Sequence, residues 1–151
     1  MTAEQAEPHV TSASREITAE PGPIFELIAD PAKQPRWDGN GNLADAADGQ
    51  RVRGTGEVFA MTLTNGAVRH NHVVEFEEGR RIAWMPSEPD LEPSGHLWRW
   101  ELVPVGPART RVTCTYDWTR LTDPKRIPRA QATTTDKLLA SIDRLAGLAQ
   151  S

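Results

Sequence analysis

The sequence predicts one soluble α+β domain in which an antiparallel sheet covers a long C-terminal helix. Strand-like segments with one apolar face follow one another through the middle of the chain, and turn dipeptides such as Asn65-Gly66 separate them. Apolar residues at helical spacing fill roughly the last 20 positions. A one-sided sheet of this size needs a cover, and only this last helix is long enough to supply it.

The length and composition of the chain favour one domain. Its 151 residues suit one domain and are few for two. We expect residues 1–9, which are polar and acidic, to be a disordered tail and residues 10–151 to form the domain. The single cysteine, Cys114, excludes an internal disulfide. A secretion signal and an apolar membrane segment are both missing from the sequence, so we expect a cytoplasmic protein with no integral membrane segment.

The charge balance argues against a nucleic-acid partner. The chain has 17 basic and 21 acidic residues, and its net charge is −4. One local basic cluster, Arg120, Lys125, Arg126 and Arg129, contains Asp123 and has no glycine-rich loop beside it. This pattern is typical of a solvated loop rather than of an anion site.

The predicted elements follow in a simple order. A weakly alternating strand over residues 10–18 precedes a short helix, in which Ile24, Leu27 and Ile28 share one face and which ends at Asp30-Pro31. A second short helical segment is predicted over residues 31–37. The remaining elements are an edge strand at 43–48, strands at 52–64, 67–77, 80–86, 96–103 and 109–119, and a helix from Asp136 onward.

Two histidines are the candidate chemical groups. His70 and His72 lie two residues apart on a strand, so their side chains point to the same face, together with Val68, Val74 and Phe76. They are candidates for polar lining of a cavity, and for general acid or base catalysis. Metal binding is disfavoured because no third ligand stands at a signature spacing, and we expect no metal and no cofactor.

An excess of tryptophan points to an aromatic-lined cavity or an aromatic core. The chain has five tryptophans against three phenylalanines and one tyrosine. Strand parity places several of these rings on one apolar face, where they either pack on the C-terminal helix or line a ligand site. The candidate ligand-binding residues, with the two histidines, are Trp37, Phe59, Met61, His70, His72, Trp84, Trp98, Trp100, Tyr116 and Trp118.

Several segments, in their order, resemble the START-like or SRPBCC superfamily, especially its polyketide cyclase/dehydrase and lipid-transport branch. The matching residues are 14–17 (SREI), 23–31 (PIFELIADP), 35–37 (PRW), 79–84 (GRRIAW), 98–102 (WRWEL) and 110–113 (TRVT). The resemblance covers nearly the whole chain after the tail. It implies a helix-grip fold: seven antiparallel strands curved around the terminal helix, two short helices after the first strand, and a cavity whose mouth collects the loops near residues 65–66, 86–95 and 119–127.

The strand pattern, the tryptophan excess and the resemblance together leave three hypotheses for the function. The first is binding of a small hydrophobic or aromatic molecule, lipid-like or polyketide-like, between the sheet and the terminal helix. The second is a polyketide cyclase or dehydratase that uses His70 or His72 as acid or base. The third is a protein-interaction module that presents a sheet face to a partner. The protein is expected to be a monomer or a homodimer in each case.

Overall fold

The computed structural model of the chain describes residues 9–150, so the predicted tail lies outside the described residues except for His9. His9 accepts a hydrogen bond from the backbone N–H of Trp118 at 2.8 Å, and the two rings pack with centroids 4.2 Å apart. The elements are β1 (Val10–Ile17), α1 (Pro21–Ala29), a 3-10 helix (Pro31–Arg36), β2 (Leu43–Asp45), β3 (Val58–Leu63), β4 (Val68–Glu77), β5 (Arg81–Ser87), β6 (Leu97–Gly106), β7 (Arg109–Asp117), α2 (Ile127–Gln131) and α3 (Thr135–Ala149).

The strands form one antiparallel sheet in the order β1-β7-β6-β5-β4-β3-β2. Strands β2 to β7 pair with their neighbours in sequence, whereas β1 pairs with β7. The N-terminal strand therefore lies beside the strand that leads to the C-terminal helices. The predicted helix-grip fold, with seven antiparallel strands, a long C-terminal helix and two short helices after the first strand, is confirmed.

The long helix α3 covers part of the inner face of the sheet. Thr134 caps its N-terminus, since the hydroxyl oxygen accepts a hydrogen bond from the backbone N–H of Lys137. Arg15 on β1 forms an ion pair with Asp143 at 2.8 Å on the solvent side. Burying each large apolar side chain of such a helix contributes about 1.5–3 kcal/mol. The buried residues of α3 are Leu138, Ser141, Ile142, Leu145 and Ala146.

The two short helices are joined by a tight break at Asp30. The Asp30 carboxylate accepts a hydrogen bond from the backbone N–H of Ala32 at 3.2 Å, which starts the 3-10 turn after α1. Gln34 is buried and donates from its side chain to the carbonyl of Ile28 at 3.0 Å. This local network directs the chain from α1 toward the edge of the sheet at β2.

The strand predicted over residues 52–64 is shorter than expected. Gly56 has a φ of +93°, a left-handed conformation that interrupts an extended strand, and regular pairing begins only at Val58. The segment before Val58 is instead hydrogen-bonded to the end of α1, where the backbone N–H of Val52 donates to the carbonyl of Ala29 at 2.9 Å.

The predicted face of β4 is also wrong in part. A bulge between Val73 and Glu75 inserts one extra residue, so side-chain alternation changes phase there. Phe76 consequently lies on the inner face and packs edge-on against Phe25, with centroids 5.7 Å apart. The residues before the bulge follow the opposite parity, so His72 is on the other face from Phe76.

Candidate ligand-binding cavity

A cavity of about 710 Å³ lies between the inner face of the sheet, the start of α3 and the loops at one end of the sheet. Residues from the three loops that the resemblance assigned to a cavity mouth all contribute, for example Asn65, Glu88 and Asp123. Its volume is within the range of pockets that hold small organic ligands. The apolar lining consists of Trp37, Leu43, Met61, Leu63, Trp84, Pro86, Trp98, Trp100, Tyr116, Leu121 and Ala132.

One row of aromatic side chains crosses three adjacent strands. Trp84 on β5 pairs in register with Trp98 on β6, which in turn pairs with Tyr116 on β7. The rings of Trp98 and Tyr116 pack with centroids 4.5 Å apart. Because directly opposite residues point to the same face, the register alone builds this aromatic wall.

Trp37 connects the wall to the short helices. Its indole Nε1–H donates to the carbonyl of Leu27 at 2.7 Å, and its ring meets Trp100 edge-on with centroids 5.1 Å apart. The side chain therefore has its polar atom satisfied by the protein and leaves its ring surface to the cavity and the core.

Two polar side chains of β4 face the cavity beside the aromatic wall. Asn71 is only 6% exposed, and its side chain lines the cavity. Arg69, two residues earlier, is on the same face. Burial, reinforced by the nearby cations Arg126 and Arg129, lowers the pKa of Arg69. Both side chains thus offer hydrogen-bond donors to the interior of the cavity.

His96 is the histidine of the cavity. Its ring packs against Tyr116 with centroids 5.9 Å apart, and its buried Nδ1 has no partner among the described residues. Burial, with help from neighbouring arginines, lowers the pKa of His96 to about 4, so its imidazole is neutral at physiological pH. Burial also raises the pKa of the Tyr116 hydroxyl to about 12.

A glycine fixes the position of His96. Gly95 has a φ of +114°, and a Cβ placed on it would lie 2.3 Å from the backbone oxygen of Arg120. Only glycine allows the loop before β6 to approach the loop after β7 this closely. The close approach brings His96 beside the mouth residues that follow Arg120.

Basic side chains surround the mouth. Arg126 is held by two acids, with Glu88 at 2.6 Å and Asp123 at 3.5 Å. Three further cations line the mouth or the adjoining wall: Arg129 on α2, Lys125 before it and Lys137 on α3. The sequence interpretation of a solvated loop is therefore incomplete, since part of the basic cluster faces the cavity.

The structure places six of the ten sequence-predicted ligand residues on the cavity and the other four elsewhere. His70 and His72 lie on the outer face of the sheet, where His72 Nε2 is 2.9 Å from the hydroxyl of Ser87. The reason is the β4 register, which puts Arg69 and Asn71 inward. The six that line the cavity are Trp37, Met61, Trp84, Trp98, Trp100 and Tyr116; the remaining two, besides the histidines, are Phe59 and Trp118.

These last two side chains are buried in other places. Phe59 is in the core and meets Trp84 edge-on, with centroids 5.3 Å apart. Trp118 borders a second, smaller cleft of about 310 Å³, which His9 and Thr11 also line. Phe59 therefore packs beside the aromatic wall on the inner face of the sheet. Trp118 belongs to a separate surface.

Sequence reasoning missed Arg69, Asn71 and His96 as cavity residues. A usable signal existed for His96, because it precedes Trp98 and Trp100 at intervals of two on the same strand face. No comparable signal existed for the β4 residues, since the bulge hides the parity of that strand.

Residues 9–150 contain neither a cluster of metal ligands nor a helix suited to crossing a membrane. No group of three or more His, Cys, Asp or Glu side chains is placed to hold a metal ion. None of the helices in this part of the chain has the length and apolar character needed to cross a membrane.

Comparisons with known proteins agree with the architecture. The chain is 28% identical over 121 residues to the uncharacterized protein Rv0088 of Mycobacterium tuberculosis, covering 78% of this chain and 51% of that protein. It thus spans about half the length of the curated relatives it matches. A START superfamily protein from Mycobacterium smegmatis superposes with a TM-score of 0.67 at 18% identity, covering 94% of this chain and 97% of that one.

A second solved structure has the same fold. The Aha1 protein of Colwellia psychrerythraea, determined as a dimer, superposes with a TM-score of 0.62 at 18% identity, and the match covers 91% of this chain and 96% of that one. At these identities the superpositions establish the fold alone. The sequence profile of one family matches residues 8–150, so the chain belongs to the family described as polyketide cyclase / dehydrase and lipid transport.

Proposed function

We propose that the protein binds a small apolar or aromatic molecule in the cavity between the sheet and α3. The observation that carries this proposal is the aromatic row Trp84, Trp98 and Tyr116, which faces about 710 Å³ of space. Rings that only filled a core would be closed over by other side chains. Membership of a family described by cyclase, dehydrase and lipid-transport activities supports the same proposal.

The energetics of the cavity favour an apolar occupant. Transfer of apolar surface from water to such a wall is worth about 25 cal/mol per Å². Flat aromatic surfaces add specific ring contacts of about 0.5–1.5 kcal/mol each. Trp37 and Tyr116 bring little unsatisfied polarity, because Trp37 already donates to Leu27, and the Tyr116 hydroxyl lies beside Thr133.

The test is a fluorescence titration with the neutral probe N-phenyl-1-naphthylamine, whose emission rises in an apolar site. We expect saturable binding of one probe per chain. Leu43→Trp, at a half-buried position that lines the cavity, should weaken binding by filling the space. Val58→Trp is the matched control, since Val58 is 50% exposed on the outer face of the neighbouring strand. Absence of saturable binding, or an equal effect of both variants, would remove the proposal.

A second candidate function is acid–base chemistry on a bound carbonyl compound, as in a cyclase or dehydratase. The observation that favours it is His96, whose neutral imidazole lines the cavity with an unpartnered Nδ1. Such a group can accept a proton from a substrate held within hydrogen-bond distance. His70 and His72 are not candidates for this role, because they lie on the outer face.

Turnover and binding must be measured together to test this second function. With a polyketide-like β-keto substrate, His96→Gln should abolish turnover while N-phenyl-1-naphthylamine still binds. His72→Gln, on the outer face, is the control and should leave turnover intact. Equal turnover in the wild-type and His96→Gln proteins would exclude His96 as the acid or base.

A further inference from the structure

We propose that the natural ligand is an amphiphile with a carboxylate, and that the carboxylate binds Arg69 and Arg129 at the cavity mouth while the apolar part lies on the aromatic wall. This inference rests on the proposed function, because it assigns a chemical class to the same cavity. The cavity mouth has more cations than carboxylates.

Arg69 is a half-buried cation without a carboxylate partner among the described residues. Its Nη1 donates a hydrogen bond to the carbonyl of Val68 at 3.3 Å, slightly longer than the usual range for such a bond. Partly buried arginines normally pair with an acid, because an unpaired charge removed from water is costly. The guanidinium faces the cavity, so a ligand anion could supply the missing partner.

The acids of the mouth are already engaged. Glu88 and Asp123 both pair with Arg126. Asp38 is 5% exposed, and its carboxylate accepts hydrogen bonds from the backbone N–H groups of Asn40, Asn42 and Leu43 at 2.9 to 3.1 Å. Glu88 also attracts Arg69 electrostatically, but its ion pair is with Arg126. None of the three lining carboxylates forms an ion pair with the remaining cations in residues 9–150.

The balance of charge along the lining is positive. Five cations line the cavity, Arg69, Lys125, Arg126, Arg129 and Lys137, against the three carboxylates described above, which leaves an excess of two positive charges. The chain as a whole is acidic, with a net charge of −4. A positive mouth on an acidic protein would attract an anion and raise its association rate.

The electrostatics of two neighbouring groups agree with this arrangement. Burial together with Arg126 and Arg129 lowers the pKa of Arg69, and burial with the same arginines and Arg69 lowers the pKa of His96. Like charges close to one another raise the free energy of the unliganded cavity. A bound anion would relieve this repulsion, and bound neutral molecules would not.

The neutral polar groups near the arginines fit the same ligand. Asn71, which is 6% exposed and lines the cavity, follows Arg69 on the same face of β4. Its N–H₂ can donate to a second carboxylate oxygen, and arginine presents a planar fork that matches a carboxylate. The aromatic wall begins one step along the same face, since Asn71 is in register with Pro86, two residues after Trp84 on β5.

The experiment is a competition in which dodecanoate, 1-dodecanol and dodecyl phosphate displace N-phenyl-1-naphthylamine from the protein. The two anions are used below their micelle-forming concentrations, and the alcohol is used below its solubility limit. The three share one alkyl chain and differ in head group. We expect dodecanoate to compete about tenfold more tightly than 1-dodecanol, because a carboxylate forms charge-assisted hydrogen bonds with arginine and an alcohol does not. This preference should shrink as salt is added.

Substitution of each arginine tests where the carboxylate of the ligand binds. Arg69→Gln and Arg129→Gln should each reduce the preference for dodecanoate over 1-dodecanol several-fold, while displacement by the alcohol stays the same. Arg80→Gln is the control, since it removes the same charge from an exposed position outside the cavity lining. Probe binding in each variant shows that the cavity is intact.

The possible results distinguish failure of the carboxylate site from failure of the proposed ligand-binding function. Equal competition by dodecanoate and 1-dodecanol, or an unchanged preference in both arginine variants, would contradict the carboxylate site. Saturable binding of the probe would still support the proposed function. Tighter competition by dodecyl phosphate than by dodecanoate also overturns the carboxylate site, in favour of a phosphate head group. Failure of the probe itself to bind contradicts the proposed function instead.

Discussion

The imidazole of His96 lies against the ring of Tyr116, with centroids 5.9 Å apart, and its buried Nδ1 has no hydrogen-bond partner in the described part of the chain. Cations face this imidazole from two elements, Arg69 on β4 and Arg126 and Arg129 at α2. Protonation of His96 would add a further positive charge to this buried group. Its surroundings therefore make the stability of the fold sensitive to acid.

The first prediction concerns stability against pH. The pKa of His96 is about 4 in the folded protein against 6.5 for a free side chain. Between these values the unfolded chain binds a proton that the folded chain does not, so the free energy of unfolding falls as the pH falls from 6.5 to 4. The expected loss from this residue is roughly 3 kcal/mol.

Urea unfolding near pH 7 and near pH 4 checks this prediction, with His96→Gln as the comparison. The carboxylates Glu26 and Glu75, whose pKa values are lowered by their arginine partners, also lose stabilising charge in acid. They do so in both proteins, so the difference between the two pH slopes isolates His96. Parallel slopes would show that the imidazole is not shielded from water.

The second prediction concerns the contact between the loop after the 3-10 helix and α3. The backbone N–H of Gly39 donates to the hydroxyl oxygen of Ser141 at 2.7 Å, and a Cβ on Gly39 would lie 2.7 Å from the backbone oxygen of Lys137. Gly39→Ala should therefore destabilise the protein by about 1–3 kcal/mol through overpacking. Chemical denaturation measures the change.

Gly147 supplies the matched control for that substitution. It lies inside α3, and a Cβ placed on it would meet nothing within 4 Å. Gly147→Ala should stabilise the protein by about 0.5–1 kcal/mol, because alanine has the higher helix propensity. If both glycine substitutions shifted stability in the same direction, the close contact at Gly39 would be in doubt.

The third prediction concerns the outer face of the sheet. Arg99 on β6 donates two hydrogen bonds to the carboxylate of Glu75 on β4, at 2.9 and 2.7 Å, and the pair spans the buried Ala83 of the strand between them. We expect a coupling free energy of about 1 kcal/mol, because the pair is bidentate but partly exposed. A double-mutant cycle with Glu75→Gln and Arg99→Met measures it.

The coupling free energy should decrease in high salt, since dissolved ions screen a partly exposed ion pair. The pair formed by Arg111 and Glu16, also cross-strand but about half exposed, is the comparison and should show a smaller coupling. A coupling near zero at Glu75 and Arg99 would contradict a stabilising role for this ion pair.

The fold was predictable because its signals are local. The hairpin at Asn65-Gly66 depends on two residues that accept the required turn, and Gly66 does have a positive φ, +88°. The aromatic wall was predictable for a related reason. No bulge interrupts the side-chain alternation of β6 near Trp98 or of β7 near Tyr116, so both rings stay on the face that the sequence predicts. In both cases a short stretch of sequence contains the whole argument.

The polar part of the cavity was not predictable in the same way. The bulge after Val73 changes the parity of β4, and its position depends on pairing with β5 rather than on the β4 sequence. The basic mouth depends on distant segments, since Arg69 and Arg129 come together only in the folded chain. Contacts of this kind leave no fixed spacing to recognise.

The most direct measurement is a ¹⁵N-correlated NMR spectrum of the indole N–H groups with and without saturating N-phenyl-1-naphthylamine. The chain has five tryptophans, of which Trp118 alone does not line the cavity. Assignments come from single Trp→Phe variants. The account predicts that the resonances of Trp84 and Trp98 shift while that of Trp118 does not. A shift confined to Trp118, or no shift in any of the five, would contradict binding in this cavity.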